Sequence, residues 1–236
     1  MKNDKKHDKV WIIIPALNEY LTIGEVISSI KKLKNFEFEI ADIIVADGGS
    51  VDPTPEVAKE LGASVIYVRK RGWMASIIEA LQHINGSKED IVVAISADGA
   101  YDASDIPKLV EVLSKDKYLG LVIGARNADL IPLHSKILSF LLKIKFSLDV
   151  DDITSTFLAF RKEALLTIKN SLKETECNLL VILLKLLENN FKVRQVRVKY
   201  RKMSIRRVSW IKCFKYCIKY ATKILQARPL RGRSNG

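Results

Sequence analysis

The side chains most able to do chemistry in this chain are acidic, and they stand in short turns after apolar runs. Asp98 is the clearest case. It lies in Ser96-Ala97-Asp98-Gly99-Ala100-Tyr101-Asp102, directly after Ile91-Val92-Val93-Ala94-Ile95. A carboxylate delivered by a buried strand can hold a hard divalent cation that a diphosphate also binds. Asp is equally a turn former, so position alone leaves both readings open. Asp47 and Asp52 flank a second turn, Asp47-Gly48-Gly49-Ser50-Val51-Asp52, with the same two readings. Glu19 ends the loop Pro15-Ala16-Leu17-Asn18-Glu19, and Arg126 follows Ile123-Gly124-Ala125. Each is a site residue or a solvated surface charge. Asp149-Val150-Asp151-Asp152 is an acidic turn, and the basic stretch from Lys199 to Arg207 contains no acid. His7, His83 and His134 have no ligand spacing, so none is assigned a role. The three cysteines, Cys177, Cys213 and Cys217, read as reduced packing residues.

These turns need elements to hold them. Ile91 to Ile95 is short, β-branched and does not alternate, which fits a strand buried on both faces, as in a parallel sheet. Open α/β sheets bind ligands at the carboxyl ends of such strands. Further strands are expected at Val10–Ile14 (stopped by Pro15), Asp42–Ala46, Ser64–Val68 and Leu119–Gly124. Helices are expected from a cap near Thr22, then over Pro53–Leu61, Gly72–Ile84 and Ser104–Leu113. This alternation predicts an α/β, doubly wound, mostly parallel sheet. In the second half, the spacing predicts helices over Leu133–Leu148, Lys162–Ile168 and Leu179–Leu187 and a strand over Ile153–Phe160. Phe191–Tyr200 reads as an edge strand guarded by basic residues. Ser209–Gln226 reads as a last helix with Trp210, Ile211, Phe214, Cys217, Ile218, Ala221 and Leu225 on one face. Lys212, Lys215, Lys219 and Lys223 line the other.

Composition bounds the rest. A chain of 236 residues, 48% hydrophobic, can build one large core. The charged start, residues 1–9, lacks the apolar segment of a secretory leader, and no apolar run reaches membrane-spanning length. Charge is uneven. Residues 189–236 hold 15 Lys and Arg and no acid, leaving 24 basic against 27 acidic residues elsewhere. Such a tail suits a polyanionic partner: a membrane surface, nucleic acid or a phosphorylated substrate.

Five segments together resemble one family. Ile14-Pro15-Ala16-Leu17-Asn18-Glu19, Val45-Ala46-Asp47-Gly48-Gly49-Ser50-Val51-Asp52-Pro53-Thr54, Ser96-Ala97-Asp98, Ile123-Gly124-Ala125-Arg126 and Asp152-Ile153-Thr154-Ser155-Thr156-Phe157-Leu158-Ala159-Phe160-Arg161 are similar, in order, to motifs of the family 2 glycosyltransferases. Within that family they resemble the dolichyl-phosphate mannose or glucose synthases. The resemblance implies a GT-A, Rossmann-like fold over residues 10–205, after a charged tail at 1–9 and before a basic amphipathic helix and tail at 206–236. It also implies a nucleotide sugar, GDP- or UDP-hexose, held by Pro15, Leu17, Glu19, Asp47, Gly49, Ser96, Asp98 and Arg126. Mg2+ or Mn2+ would sit at Asp98, and Asp98, Arg126 and Asp152 would be catalytic. Lys136, Ser155, Arg201, Lys202, Arg206 and Arg207 would meet an acceptor phosphate. Three positions depart from the pattern: Ser96 replaces the first Asp of D-x-D, Ala100 follows Gly99 where Gln is common, and Thr156 replaces the Gly of T-S-G. A catalytically degenerate membrane-associated homologue is therefore one alternative.

The acceptor decides which groups are needed. A hydroxyl needs a general base, and Asp151 or Asp152 would be the one to test. A phosphate monoester, with a second pKa of about 6, is already nucleophilic at neutral pH and needs only cationic guidance. The stretch from Lys199 to Arg207 offers it. The expectation is an inverting transfer to a polyprenyl (dolichyl) phosphate at the cytosolic membrane face. The protein would be cytoplasmic and peripherally bound through the helices at 133–148 and 209–226. A soluble or glycan hydroxyl acceptor is the other reading. Nucleic acid is not expected as a partner, because Trp210, Tyr216 and Tyr220 fall on a helix and not on a stacking strand or groove.

Overall fold

Apolar runs that must be buried on both sides force a sheet covered by helices on both sides, and that is the architecture. The computed structural model describes residues 8–34, 36–69, 72–172, 177–202 and 210–227. Seven strands form one sheet: β1 (Asp8–Ala16), β2 (Phe38–Asp47), β3 (Ser64–Tyr67), β4 (Ile91–Ile95), β5 (Leu119–Ala125), β6 (Phe157–Arg161) and β7 (Lys192–Arg197). Their order is β3-β2-β1-β4-β6-β5-β7. All neighbours run parallel except β6, which lies antiparallel to both β4 and β5. This is the expected doubly wound α/β fold of the GT-A kind.

The sheet divides two cores. Helices α1 (Tyr20–Lys31), α2 (Thr54–Glu60) and α4 (Ile106–Ser114) cover one face. Helices α3 (Trp73–Ala80), α5 (Leu133–Phe146), α6 (Lys162–Ile168), α7 (Leu179–Glu188) and α8 (Trp210–Gln226) cover the other. Every residue of β4 is buried. Ile91, Val93 and Ile95 enter the first core, and Val92 and Ala94 the second. That double burial is why the run carries no polar alternation.

Four boundaries differ from expectation for local reasons. Strand β1 continues past Pro15 to Ala16. Ala16 O accepts from Gly48 N on the β2 side, so Pro15 faces β4, whose pairing with β1 has ended at Ile13. Its missing N–H therefore costs no ladder bond. The strand expected from Ile153 begins only at Phe157. Asp152 accepts from Thr154 N and bends residues 152–156 into a turn. Helix α5 stops at Phe146, where Ser147 takes a left-handed conformation, φ 50°. Strand β7 is the parallel edge expected, but it ends at Arg197. Tyr200 instead makes an isolated antiparallel bridge with Tyr101.

Helix α8 divides its apolar residues between a buried pair and an exposed face. Tyr220 and Ile224 are the buried residues, whereas Ile218 and Leu225 are exposed. Cys217 and Ala221 lie half-buried at the margin. Asn178 Nδ2 donates to Tyr220 Oη at 2.6 Å, which anchors α8 at the start of α7. The side chains of Trp210, Ile211 and Phe214, expected on the same face, lie outside the described residues.

Candidate active site

Because β1, β2, β4 and β5 run parallel, their carboxyl ends and following turns share one edge, and the antiparallel β6 begins there. The first two turns are laced together. Asn18, at φ 56°, donates its N–H to Ser50 Oγ and accepts from Val51 N, both at 2.9 Å. Glu19 N donates to Thr54 Oγ1. Pro15 is buried in this frame, while Leu17 is exposed and Glu19 half-buried. Gly49 needs its φ of 92°, which a side chain would strain.

Asp47, expected to contact base or ribose, is fully buried. Its Oδ2 accepts from Gly49 N and Ser50 N at 3.0 Å, and Oδ1 from Ser50 Oγ. The structure gives it the turn-forming role, so a direct base contact requires the Ser50 hydroxyl to turn away. Asp52 likewise shapes its turn, accepting from Thr54 N at 3.1 Å and from the Thr54 hydroxyl. Its slight burial opposes ionisation, and the Thr54 hydrogen bonds outweigh that and lower its pKa.

The turn after β4 presents one carboxylate with one oxygen fixed and the other open. Asp98 is half-buried. Its Oδ1 accepts from Ser96 Oγ at 2.7 Å and Ala100 N at 3.1 Å. Among the described residues no donor reaches Oδ2. Ser96, standing where a second carboxylate was sought, thus fixes the first. No group of three or more metal-ligating side chains exists among the described residues. The residues fit a cation shared with a diphosphate, not one caged by protein alone.

Arg126 and Asp152 form a buried pair that the sequence did not join. Arg126 Nε and Nη2 reach the two Asp152 oxygens at 2.8 and 2.7 Å. Arg126 N and Thr154 N also donate to that carboxylate. Nη2 donates further to Thr154 Oγ1. Burial works against the guanidinium charge, and the hydrogen bonds to Asp152 more than reverse it, raising the Arg126 pKa above its ordinary value. This corrects the expectation for Asp152. Fully buried and saturated with donors, it is a positioning residue and not a free base. Arg126 Nη1 makes no hydrogen bond among the described residues and remains for an oxyanion.

Aromatic residues absent from the sequence reading support the pair. Arg126 Cζ lies 5.5 Å from the Tyr200 ring centroid, and Tyr200 meets Tyr101 edge-on at 5.0 Å. Tyr101 Oη accepts from Thr156 N, and burial raises its pKa. Arg197 donates to Arg126 O and to Asp151 Oδ2. Asp151 Oδ1 is shielded from solvent and has no hydrogen-bond partner among the described residues. His134, in the first turn of α5, feels burial first and the Arg126 charge second, and both lower its pKa. No local signal joins these residues, because they meet across long sequence separations.

The expected phosphate ligands scatter. Ser155 is a second correction: it is buried, with Oγ bonded to Gly124 O at 2.6 Å and accepting from Phe157 N. It fastens the loop and has no face for a ligand. Arg201 lies beside the Asp98 turn, its backbone N–H bonded to Ala100 O at 2.8 Å. It also lines a cleft of about 400 Å³ with Gly99 and Tyr101. Lys202 and Lys136 are exposed. Lys199 is turned toward Asp102 at 3.5 Å. Arg206 and Arg207 lie outside the described residues.

Residues 11–168 match the family described as Glycosyl transferase family 2. The chain belongs to that family. It is 32% identical over 168 residues to glycosyltransferase AglJ of Haloferax volcanii, a match covering 67% of this chain and 52% of that protein. The match thus spans about half of the relative's length. It is 29% identical over 212 residues to the protein MJ1222 of Methanocaldococcus jannaschii, covering 84% of this chain and 83% of that one. Among solved structures, glucosyl-3-phosphoglycerate synthase of Mycobacterium tuberculosis superposes with a TM-score of 0.73. There the identity is 23%, with 92% of this chain and 80% of that one covered. That likeness shows the shared fold.

Proposed function

We propose that the chain transfers a hexose, mannose or glucose, from a GDP- or UDP-linked donor to a polyprenyl phosphate, with inversion, at the cytosolic face of a membrane. The observation that carries the reading is the turn after β4, where Asp98 has one oxygen fixed by Ser96 and Ala100 and the other available. Family membership supports sugar transfer. Structures of the mycobacterial synthase with Mn2+ and UDP-glucose support the donor and cation classes. At Asp98, Mg2+ or Mn2+ would supply counter-charge to the departing nucleoside diphosphate. An acceptor phosphate oxygen bonds to the sugar C1 as the C1–O bond to the diphosphate breaks. No proton moves, because the acceptor is already anionic. Arg126 Nη1 and the exposed Arg201 offer positive charge, held in place by Asp152, Tyr200 and Ala100 O.

A second reading rests on Asp151. Its Oδ1 has no hydrogen-bond partner among the described residues and, once opened to the acceptor, suits a base taking the proton of a hydroxyl as that oxygen bonds to C1.

Calorimetric titration of GDP and UDP, with and without Mn2+, tests the first step. Expected is Mn2+-dependent binding of one nucleotide, lost in Asp98→Ala while the melting temperature is unchanged. Equal binding by the variant would remove the cation role. Asp151→Asn then separates the acceptors. A loss of transfer of roughly 100-fold or more marks a hydroxyl acceptor, and near-normal transfer to a polyprenyl phosphate marks the lipid.

A further inference from the structure

Helices α5 and α8 pack side by side and leave a ridge of large apolar side chains exposed. Leu133, Ile137, Phe140 and Ile144 share one face of α5, and Ile218 and Leu225 one face of α8. All are between 46% and 72% exposed. The helices already bury their other faces, α5 through Leu138 and Leu142 and α8 through Tyr220 and Ile224. The ridge is therefore additional to what folding uses. Neither helix contains an acid, while α5 carries Lys136, Lys143 and Lys145 and α8 carries Lys212, Lys215, Lys219 and Lys223. Asp149, just past α5, is paired to Lys143 at 3.1 Å.

We propose that α5 and α8 together form a docking face for an anionic lipid bilayer, lying in the headgroup layer with the apolar ridge inward. An apolar ridge on two helices whose own charged residues are all lysines complements that surface in both respects. A second copy of the chain does not, because the same face on both partners sets lysine against lysine. Among the described residues no helix is long and apolar enough to cross a membrane, so the face lies on the bilayer.

The placement also orients the site. Ser135, in the first turn of α5, accepts from Ile153 N at 3.0 Å and donates to Asp151 O. The docked helix thus begins at the loop carrying Asp151 and Asp152. A lipid-linked phosphate would meet that loop without leaving the surface. This last consequence rests on the proposed acceptor; the docking face does not.

Flotation of the full chain with vesicles tests the face, using phosphatidylglycerol mixed with phosphatidylcholine against phosphatidylcholine alone. The chain should float with the anionic vesicles and retain part of its binding in high salt. Phe140→Ser with Ile144→Ser, and separately Ile218→Ser with Leu225→Ser, should each weaken binding roughly tenfold or more. Unchanged circular dichroism and melting temperature would establish that both variants fold. No flotation of the wild type, or equal flotation of the variants, overturns the proposal. So does a dimer in light scattering that the same substitutions dissociate. Titration of nucleotide with Mn2+ on the same preparations keeps the two proposals apart. Flotation without nucleotide binding leaves the face standing and removes the transferase reading, and the reverse leaves a transferase with a soluble acceptor.

Discussion

Asp152 has no contact with solvent, and Arg126 presents two nitrogens to its carboxylate. Removing one charge of such a pair strands the other. Asp152→Asn should cost about 3–5 kcal/mol of stability, read as a lower urea midpoint at unchanged slope. Thr154→Val removes a peripheral hydroxyl and should cost about 1 kcal/mol. Equal effects from the two would mean that the buried charge is compensated elsewhere. His134 gives the same neighbourhood a pH dependence. Burial and the Arg126 charge depress its folded pKa, so the unfolded chain takes the proton more readily. The stability this residue contributes is full above its unfolded value of about 6.5 and is lost as pH falls through the lower folded value. Melting temperature should therefore drop between about pH 7.5 and about pH 5.5, and His134→Asn should flatten the drop. An unchanged slope in that variant would place the titration elsewhere.

At the scale of elements, the site depends on how closely β5 approaches its neighbours. A Cβ on Gly124 would stand 3.0 Å from Phe157 O and 3.1 Å from Val198 Cγ1. The first is backbone of β6 and yields only by breaking a ladder. Gly124→Ala should cost about 1–3 kcal/mol and, because β5 leads directly to Arg126, should also lower kcat. A normal kcat with a lower melting temperature would show that the strand shift does not reach the guanidinium. The elements were legible where burial dictates composition. Ile91–Ile95 had to be apolar at every position because both faces meet a core. Legibility failed where a tertiary contact overrode local preference. Pro15 continues a strand because β4 has already ended beside it, and Ile153 leaves one because Asp152 closes a turn. The direction of β6 leaves no trace in its composition, since up to Phe160 it is buried as fully as β4 and β5, to which it runs antiparallel.

At the scale of the molecule, the turns of the site could be read and the joins between them could not. Asp98, Glu19 and Asp47 stand in local sequence patterns that mark a turn, though not which role each carboxylate takes. The pairing of Arg126 with Asp152, and the Tyr101–Tyr200 contact that steadies it, link residues whose proximity only the folded sheet creates. The last helix is legible in part: its sequence shows the apolar face holding Ile218 and Leu225, which stays exposed, and gives no sign that Tyr220 and Ile224 pack beside α5 and α7, where Asn178 satisfies the Tyr220 hydroxyl.

The position of β6 has a further consequence, for the order in which the protein can assemble. Its neighbours β4 and β5 are both made before it, and neither can pair with the other once the place between them is reserved. Until residues 157–161 emerge from the ribosome, the growing chain offers β3-β2-β1-β4 with one apolar edge open. β5 has no strand partner at all, since its other neighbour, β7, is made last. Such an edge invites pairing with other chains. Amides of β1 and β2 should therefore gain protection before those of β5 and β7 in pulse-labelled hydrogen exchange during refolding. Simultaneous protection of all four would show that the sheet forms in one step, with the late strand already in place.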